Sequence, residues 1–396
     1  MIKAGVGLGK NLNNHKQAAK DAAREALDKL GGQAPSIVIA FSSIKYEQKD
    51  VLAGLNEIFT NVPIIGGSAA GEITSWDTAF EAVSVMAIAT DQIKFTLGIG
   101  TNVAADSFKA GAMAAQEVIK NNGNKKPDLL LILPDGMTAN GAALVDGVRS
   151  VMGQNFPIIG GSLGDDYLFK KTYEYHNDQL LTDTIVAVGF SGDFTYGFGI
   201  RHGWKPVGLP MKITKAEGVW IKEIDGKPAL KMYEDYFGKE AAELVKEPLA
   251  RMAYTYPIGI RVEGSDEMLI RDPIIANEKG EISTAAAIPE GTMVNIMIGD
   301  RDQAIQAAKS ASEVAREQLE GGTPKFIIMF NCMARNKLLG VRCHEENQVV
   351  QKSIGPDVPM LGFYTYGEIG PLLGKKGTRA YFHNETMTLF TIGDKP

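Results

Sequence analysis

Three short apolar runs, each shortly after a proline, dominate the pattern of hydrophobic and polar positions along the chain. They are 36–41 (SIVIAF), 128–133 (DLLLIL) and 326–330 (FIIMF). Large aliphatic and β-branched residues recur in these runs with almost no polar alternation, which is typical of strands that are buried on both faces. Each run therefore predicts a central strand of a sheet that is covered by helices.

An alanine-rich segment precedes each run and has the spacing of an amphipathic helix. In the third segment, apolar residues recur at steps of three and four from Ala304 to Leu319, and Gly321–Gly322 follow. The first segment has this spacing from Ala18 to Leu30, and the second runs from about Asp106 to Lys120. One apolar face and a terminal glycine predict three helices that pack on the strands.

These elements belong to a larger unit that occurs three times. A strand-like piece ending in glycine precedes each helix, and a second helix-length stretch follows each apolar run. A strand with a shared signature comes next, at 62–72 (VPIIGGSAAGE), 156–166 (FPIIGGSLGDD) and 358–368 (VPMLGFYTYGE). With a last apolar strand, the pattern predicts β-α-β-α-β-β units at about 1–90, 93–192 and 292–396.

A segment at about 203–290 interrupts the third unit. It contains strand-like stretches, a predicted helix from about Pro228 to Tyr236 and a predicted turn at Asn277–Gly280. The piece 194–204 (FTYGFGIRHGW) resembles the start of the third unit, and 293–300 (MVNIMIGD) is interpreted as the strand that resumes it before the helix.

The units together predict the fold class. We expect an α/β protein with some α+β character, in which repeated β-α-β-α-β-β units form mixed sheets with helices outside. Two modules are predicted: 1–202 with the first two units, and 203–396 with the inserted segment and the third unit.

Composition narrows the classes of function. The formal charge is 41 − 47 = −6, so the chain lacks the basic footprint of a nucleic-acid binder. No apolar run has the length of a signal-peptide core or a membrane span, and the two cysteines, Cys332 and Cys343, form no disulfide framework. We expect a cytoplasmic protein with no membrane insertion and no nucleic-acid partner. Glycine is in excess, with 44 of 396 residues, and it clusters at matching positions of the units.

Polar residues gather in the loops that follow the signature strands, where open α/β sheets tend to bind ligands. In the third unit, tyrosines replace Gly-Ser and offer apolar walls with hydroxyl tips. Arg335 and Glu368 suit the carboxylate and ammonium groups of a zwitterion such as an amino acid, although a structural pair of these two side chains is an equal alternative. The candidate ligand-binding residues are Ser68, Glu72, Asn331, Cys332, Arg335, Tyr364, Thr365, Tyr366 and Glu368.

Three of these segments carry a family resemblance. The motifs 66–73 (GGSAAGEI), 330–335 (FNCMAR) and 362–371 (GFYTYGEIGP) resemble the FIST domain family, which is written as an N-terminal and a C-terminal module. The resemblance covers about 30–375. It implies a prokaryotic cytoplasmic sensor of small ligands, amino acids among them, and some members are associated with haem and nitric oxide sensing. Because no output segment accompanies the modules, a separate signalling partner is expected.

Other chemistries stay open at this point. Cys332 at a strand end, with His344 and Glu368, is the composition of an amidase-like nucleophile set acting on an amide-type substrate. Haem is a second alternative, with His202 as the histidine best suited to a buried site, although no cofactor is expected. Glycines at 5–11 (GVGLGKN) have only part of a dinucleotide fingerprint and are interpreted as a strand-to-helix turn. The adjacent Asp165–Asp166 are read as loop caps in preference to Mg²⁺ ligands, so no metal is expected.

Overall fold

Three six-stranded sheets carry most of the chain in this computed structural model. The described residues are 1–75, 77–137, 140–238, 249, 252, 254–265 and 267–396. The first unit comprises β1 (Ile2–Gly9), α1 (His15–Asp28), β2 (Ile37–Ser43), α2 (Gln48–Ile58), β3 (Ile64–Ala69), β4 (Glu72–Thr74), β5 (Thr78–Ala79) and β6 (Val83–Thr90). The second comprises β7 (Ile93–Thr101), α3 (Ser107–Asn121), β8 (Leu129–Pro134), α4 (Gly141–Met152), β9 (Ile158–Gly161), β10 (Glu174–His176), β11 (Gln179–Leu181) and β12 (Thr184–Gly192).

The third unit is split by an inserted segment, here called the insert (residues 202–300). The insert contains β14 (Lys205–Glu217), β15 (Trp220–Ile224), β16 (Lys227–Pro228), α5 (Lys231–Phe237), β17 (Ile258–Ile260), β18 (Leu269–Arg271), β19 (Pro273–Ala276), β20 (Ile282–Thr284) and β21 (Met293–Ile298). Around it, the third unit comprises β13 (Thr195–Arg201), α6 (Arg301–Glu317), β22 (Thr323–Cys332), α7 (Met333–Leu339), α8 (Cys343–Ile354), β23 (Met360–Thr365), β24 (Glu368–Pro371), β25 (Ala380–His383) and β26 (Met387–Asp394).

The units exchange hairpins in a circle. The sheet orders are β1-β6-β2-β3-β10-β11, β7-β12-β8-β9-β24-β25 and β13-β26-β22-β23-β4-β5. The first unit thus gives β4–β5 to the third sheet, the second gives β10–β11 to the first sheet, and the third gives β24–β25 to the second sheet. In each sheet one central pair is parallel (β2–β3, β8–β9 and β22–β23) and the remaining pairs are antiparallel. The predicted mixed α/β fold is confirmed.

One strand assignment was wrong. The piece MVNIMIGD forms β21, which pairs with β14 and β17 in the separate sheet of the insert. The first strand of the third unit is β13, which pairs with β26. The insert therefore separates β13 from α6, whereas the corresponding strand and helix follow each other directly in the other two units. The predicted turn at Asn277–Gly280 joins β19 to β20, and the Gly280 N–H donates to the Asn277 carbonyl at 2.9 Å.

The sheets share one hydrophobic core, and the helices lie on their outer faces. Phe41 of the first unit stacks on Phe363 of the third, with ring centroids 4.1 Å apart. Phe190 of the second unit meets Phe390 of the third at 6.0 Å. This arrangement buries both faces of each central strand, as the unbroken apolar runs predicted. Among the described residues, no helix is long and apolar enough to span a membrane.

Close contact between strand and helix explains part of the glycine excess, and turns that need a positive φ explain another part. A Cβ atom at Gly7 of β1 would lie 2.0 Å from the Ala22 carbonyl oxygen of α1. The same contact recurs at Gly100, 1.9 Å from the Ala110 oxygen, and at Gly199, 2.0 Å from the Ala311 oxygen. The fragment that resembles a dinucleotide fingerprint, GVGLGKN, is therefore used for helix packing.

Replacing Gly7 by Ala should destabilise the protein by about 1–3 kcal/mol, because the added methyl group meets helix backbone that no side-chain rotation can move away. Urea unfolding measures the change. Lys3→Ala on the same strand is the control and should change stability by less than about 0.5 kcal/mol. Equal losses for the two variants would show that the contact is not tight.

Candidate functional site

Three buried glutamates occupy matching places in the exchanged hairpins. Glu72, Glu174 and Glu368 each begin the first strand of their hairpin, and all three are fully buried. Glu72 Oε2 accepts the Ala82 N–H at 3.3 Å, and Glu368 Oε2 accepts the Thr386 N–H at 3.1 Å. Each of these two carboxyl groups thus faces the segment that opens the last strand of its own unit.

Sequence reasoning missed Glu174 because the loop 162–173 separates it from the second GGS motif. The spacing to the last strand of the unit could have found it. Glu72 lies ten residues before Ala82, which bonds its carboxyl group, and Glu174 lies ten residues before Thr184. The Thr184 backbone N–H lowers the pKa of the Glu174 carboxyl group, against the larger effect of burial. Asp166 occupies the position of Glu72 when the signature segments 62–72 and 156–166 are aligned. In the structure it has a different role and accepts a hydrogen bond from Ser43 Oγ at 2.6 Å.

Burial raises the pKa of all three glutamates, and raises that of Glu368 to about 8. Hydrogen bonds from Thr365 and Thr386 oppose the effect of burial at Glu368 without cancelling it. Glu368 is therefore mainly protonated at neutral pH, and a neutral carboxyl group is a weak partner for the ammonium group of a ligand.

A carboxyl group whose pKa is raised in the folded state binds its proton more tightly in the folded protein than in the unfolded chain. Its contribution to stability is complete below its pKa in the unfolded state, and it is lost as the pH rises through its pKa in the folded state. Between about pH 5 and 8, Glu368 should therefore lower the free energy of unfolding by up to ~1.4 kcal/mol per pH unit. In Glu368→Gln the slope should be correspondingly smaller. Denaturant unfolding at several pH values tests this, with exposed Glu278→Gln as the control; an unchanged slope in Glu368→Gln would contradict it.

Arg335 on α7 is paired with Glu346 on α8, and both side chains are fully buried. Arg335 Nε donates to Glu346 Oε1 at 3.0 Å, and Nη2 donates to the Ala304 carbonyl at 2.8 Å. Asn331 Nδ2 donates to the other Glu346 oxygen at 2.9 Å. The structural pairing of Arg335 with Glu368 is therefore wrong, because its carboxylate partner is Glu346. No pattern in the sequence pointed to Glu346.

Replacing Arg335 by Ala should cost about 3–5 kcal/mol of stability, since Glu346 would be left buried and unpaired. The double variant Arg335→Met/Glu346→Leu should recover much of the loss. Arg342→Ala, which breaks partly exposed pairs with Glu345 and Asp302, is the control at about 0–1 kcal/mol. Chemical denaturation measures the free energy of unfolding of each variant. If Arg335→Ala loses no more than Arg342→Ala, the importance of the buried pair is contradicted.

Cys332 caps α7 at the end of β22, as predicted, but its surroundings oppose a thiolate. Burial raises the pKa of the Cys332 thiol well above its ordinary value, and the nearby carboxyl groups of Glu368, Glu385 and Asp272 act in the same direction. His344 is exposed, and its Nδ1 lies 3.0 Å from the Val341 carbonyl. Of the Cys332–His344–Glu368 set, Glu368 therefore lies near the buried Cys332, whereas His344 lies at the surface.

The remaining predicted residues are distributed over separate places. Ser68 Oγ accepts the Tyr173 N–H at 3.0 Å, and Tyr364 is buried in a stack on Phe80 with ring centroids 6.2 Å apart. The Thr365 hydroxyl donates to Glu368, and the Tyr366 hydroxyl donates to Asp165.

The Asp165 carboxylate also caps a loop. It accepts the backbone N–H groups of Phe169, Lys170 and Lys171 at 2.6–2.9 Å. This is the cap interpretation made from the sequence. Within the described part of the chain, no group of three His, Cys, Asp or Glu side chains is arranged to hold a metal ion.

A cleft of about 1130 Å³ lies between the insert and the third unit. Its walls come from the link between β13 and β14, the loop after β17, strand β21 and one face of α6. The apolar part includes Trp204, Met268 and Met297, and the amides of Gln303 and Gln306 face it from α6. None of the nine residues predicted from the sequence is part of its lining.

Arg335 connects the predicted residues to the floor of this cleft. Its Nη1 donates to the His202 carbonyl, and its guanidinium lies 5.4 Å from the centre of the Trp204 ring. Glu267 accepts the His202 N–H at 3.3 Å and lies 3.6 Å from Arg201 Nε. The cleft floor is thus an ordered polar surface supported from behind by a buried guanidinium.

His202, the histidine considered from the sequence as a haem ligand, lies in the lining of this cleft. Its Nδ1 accepts the backbone N–H of Trp204 at 2.9 Å, so the proton of the neutral ring is on Nε2. Nε2 lies 3.3 Å from a carboxyl oxygen of Glu267. Burial, together with Arg335, lowers the pKa of His202 to about 3. Nδ1 is therefore occupied by a main-chain N–H, whereas Nε2 lies beside the Glu267 carboxyl group without forming a hydrogen bond.

Comparison with known proteins assigns the family. The FIST N domain model matches residues 36–227, and the FIST C domain model matches residues 229–371. Together these matches cover most of the chain, which therefore belongs to the FIST family of sensory signal-transduction domains. The division at 202/203 made from the sequence stays a prediction.

Similar proteins are found in bacteria and archaea. The chain is 24% identical over 404 residues to an uncharacterized protein of Mycobacterium bovis, covering 98% of this chain and 99% of the relative. It is 24% identical over 403 residues to an uncharacterized protein of Mycobacterium tuberculosis, with 98% and 100% covered. An 88-residue stretch is 33% identical to an uncharacterized protein of Methanocaldococcus jannaschii, covering 22% of this chain and 17% of that protein.

Solved structures resemble the chain only weakly. A cyanuric acid hydrolase matches with a TM-score of 0.36 and 8% identity, covering 100% of both chains. Phosphoribosylformylglycinamidine synthase II of Thermotoga maritima matches with a TM-score of 0.26 and 10% identity, covering 100% of this chain and 72% of the other. These values support no conclusion about the function of this chain.

Proposed function

We propose that the chain is a cytoplasmic sensor that binds a small molecule in the cleft between the insert and the third unit, and that it signals to a separate output protein. The cleft itself carries the proposal: its volume of about 1130 Å³ is slightly larger than the ~300–1,000 Å³ of most small-molecule sites, and like them it combines apolar walls with a few polar groups. An amino acid, which the family resemblance implies, is the first ligand class to test.

The walls of the cleft explain how binding would become a signal. One wall belongs to the insert and the other to α6 and β13 of the third unit, so a ligand that contacts both walls favours one relative position of the two parts. Asn331 and Arg335 act in this proposal behind the floor, where Arg335 holds the His202 carbonyl. Their role is to support the site from the core of the third unit.

Blocking the cleft tests the proposal. Ala307 lines it from α6, so Ala307→Trp should fill the space without disturbing the core. The twenty amino acids and a panel of organic acids are screened by thermal shift. Compounds that raise the melting temperature of the unaltered protein should lose at least ten-fold in affinity in Ala307→Trp.

Lys309→Trp is the matched control, because Lys309 is exposed on the same helix and lies outside the cleft lining. It should bind as the unaltered protein does. Mass spectrometry of the same mixtures detects any turnover, which would favour an enzyme over a sensor. If every stabilising compound binds Ala307→Trp normally, the ligand site lies elsewhere.

A further inference from the structure

The insert docks on the third unit at a joint beside the cleft. Arg271 at the end of β18 donates from Nη1 to the Phe382 carbonyl of β25 at 2.7 Å. The next residue, Asp272, donates its N–H to Asn384 Oδ1 at 3.3 Å. Because β18 is paired with β17 in the sheet that forms one wall of the cleft, a change at this joint alters the position of that wall.

Two carboxyl groups meet within the joint. The side chains of Asp272 in the insert and Glu385 in the third unit lie within electrostatic reach of each other. Glu385 is fully buried, and the Asp272 main chain is bonded to Asn384, the residue before Glu385. No N–H or O–H group of the described residues donates to either Glu385 carboxyl oxygen or to Asp272 Oδ1. Two carboxylates within electrostatic reach of each other cannot both stay ionised in such a place, so the pair retains a proton.

The backbone of Glu385 indicates that this proximity is imposed by the fold. Glu385 has a φ of 61°, a left-handed conformation that is uncommon for a residue other than glycine. Its carbonyl accepts a hydrogen bond from Arg335 Nη1 at 3.1 Å, and the same Nη1 holds the His202 carbonyl at the cleft floor. A single guanidinium therefore joins the carboxyl pair to the cleft.

No charged group around the pair neutralises both carboxyl groups in place of the shared proton. Those that act on Asp272, on Glu385 or on groups beside them are Arg271, Arg335, Glu368, Cys332, Tyr167, Tyr233 and His383. Arg335 is neutralised by Glu346, and Arg271 is directed at main-chain carbonyls. Burial raises the pKa of Asp272 to about 6, and burial together with the Asp272 charge raises that of Glu385 well above its ordinary value.

We propose that the proton shared by Asp272 and Glu385 fixes the insert against the third unit, and that its loss loosens the cleft, so that the sensor responds to its ligand and to pH together. The proposal rests on the proposed function, since it assigns a regulation to the same cleft. With the proton present, the two groups form one hydrogen bond across the joint. Without it, two buried negative charges repel each other across the same gap.

Hydrogen–deuterium exchange tests the joint without any ligand. Because Glu368 titrates in the same pH range, the comparison is made between Glu368→Gln and Asp272→Asn/Glu368→Gln. From pH 6 to pH 9, protection of the β18 and β25 amides, corrected for intrinsic exchange, should fall at least ten-fold in Glu368→Gln. It should change less than two-fold in the double variant, because the side-chain amide introduced at position 272 donates to Glu385 without a titrating proton. An equal fall in both proteins overturns the proposal.

A second variant covers the case in which Asp272→Asn does not fold. In Glu385→Gln/Glu368→Gln the side-chain amide is at position 385 and faces Asp272. Protection of the β18 and β25 amides in this variant should also change less than two-fold from pH 6 to pH 9. Exchange in β2 (Ile37–Ser43), far from the joint, is the internal control and should not follow pH in any of these proteins. A fall in β2 that matches the fall in β18 would indicate global loss of stability and would overturn the local mechanism.

Binding of 1-anilinonaphthalene-8-sulfonate, a probe for apolar cavities, connects the joint to the cleft. Its affinity should fall at least five-fold from pH 6 to pH 9 in Glu368→Gln and less than two-fold in Asp272→Asn/Glu368→Gln. Ala307→Trp reports whether the probe occupies the cleft. If the probe binds Ala307→Trp normally, the proposed ligand site loses its support, whereas the exchange measurement still decides the proton mechanism.

Discussion

Close contact between glycine-containing strands and alanine-containing helices underlies the whole architecture. In each unit the first strand lacks side chains where its helix crosses, so helix backbone approaches strand backbone almost directly. The helices therefore lie close against the outer faces of the sheets. The large aromatic side chains of the central strands are then free to point inwards, where three sheets meet in one core. A single added methyl group at these crossings would push a helix away from the sheet that it covers.

The exchange of hairpins follows from the way each sheet ends. The parallel strands β3, β9 and β23 would leave an open edge, and a hairpin from another unit covers each of these edges. The crossing from one sheet to another draws the start of every hairpin into the interior, and a buried glutamate stands at each start. Burial of these three carboxyl groups is the main cause of their raised pKa values.

Local patterns allowed much of the fold to be predicted, because strands, helices and turns are encoded by neighbouring residues. The split of the third unit was misassigned because β13 and β21 are both short apolar strands, and only pairing with β26 or with β14 distinguishes them. The loop sites were predicted less well. Arg335 and Glu368 have the chemistry of ligand groups, but whether they meet a ligand or a protein partner depends on Glu346 and Thr386, which lie 11 and 18 residues away in the sequence.

The position of the insert relates the family motifs to the cleft. Because the insert enters between β13 and α6, both its ends remain tied to the third unit, and the space between them becomes a cleft with one wall from each part. The motif residue Arg335 lies directly behind that cleft, in contact with Glu346 on one side and with the His202 carbonyl of the cleft floor on the other, and Asn331 also bonds Glu346. A buried ion pair is a poor binding site for a ligand, but it is a rigid support that can transmit a displacement. In the proposed function, the motif is therefore the connection between the cleft and the core that the three units share.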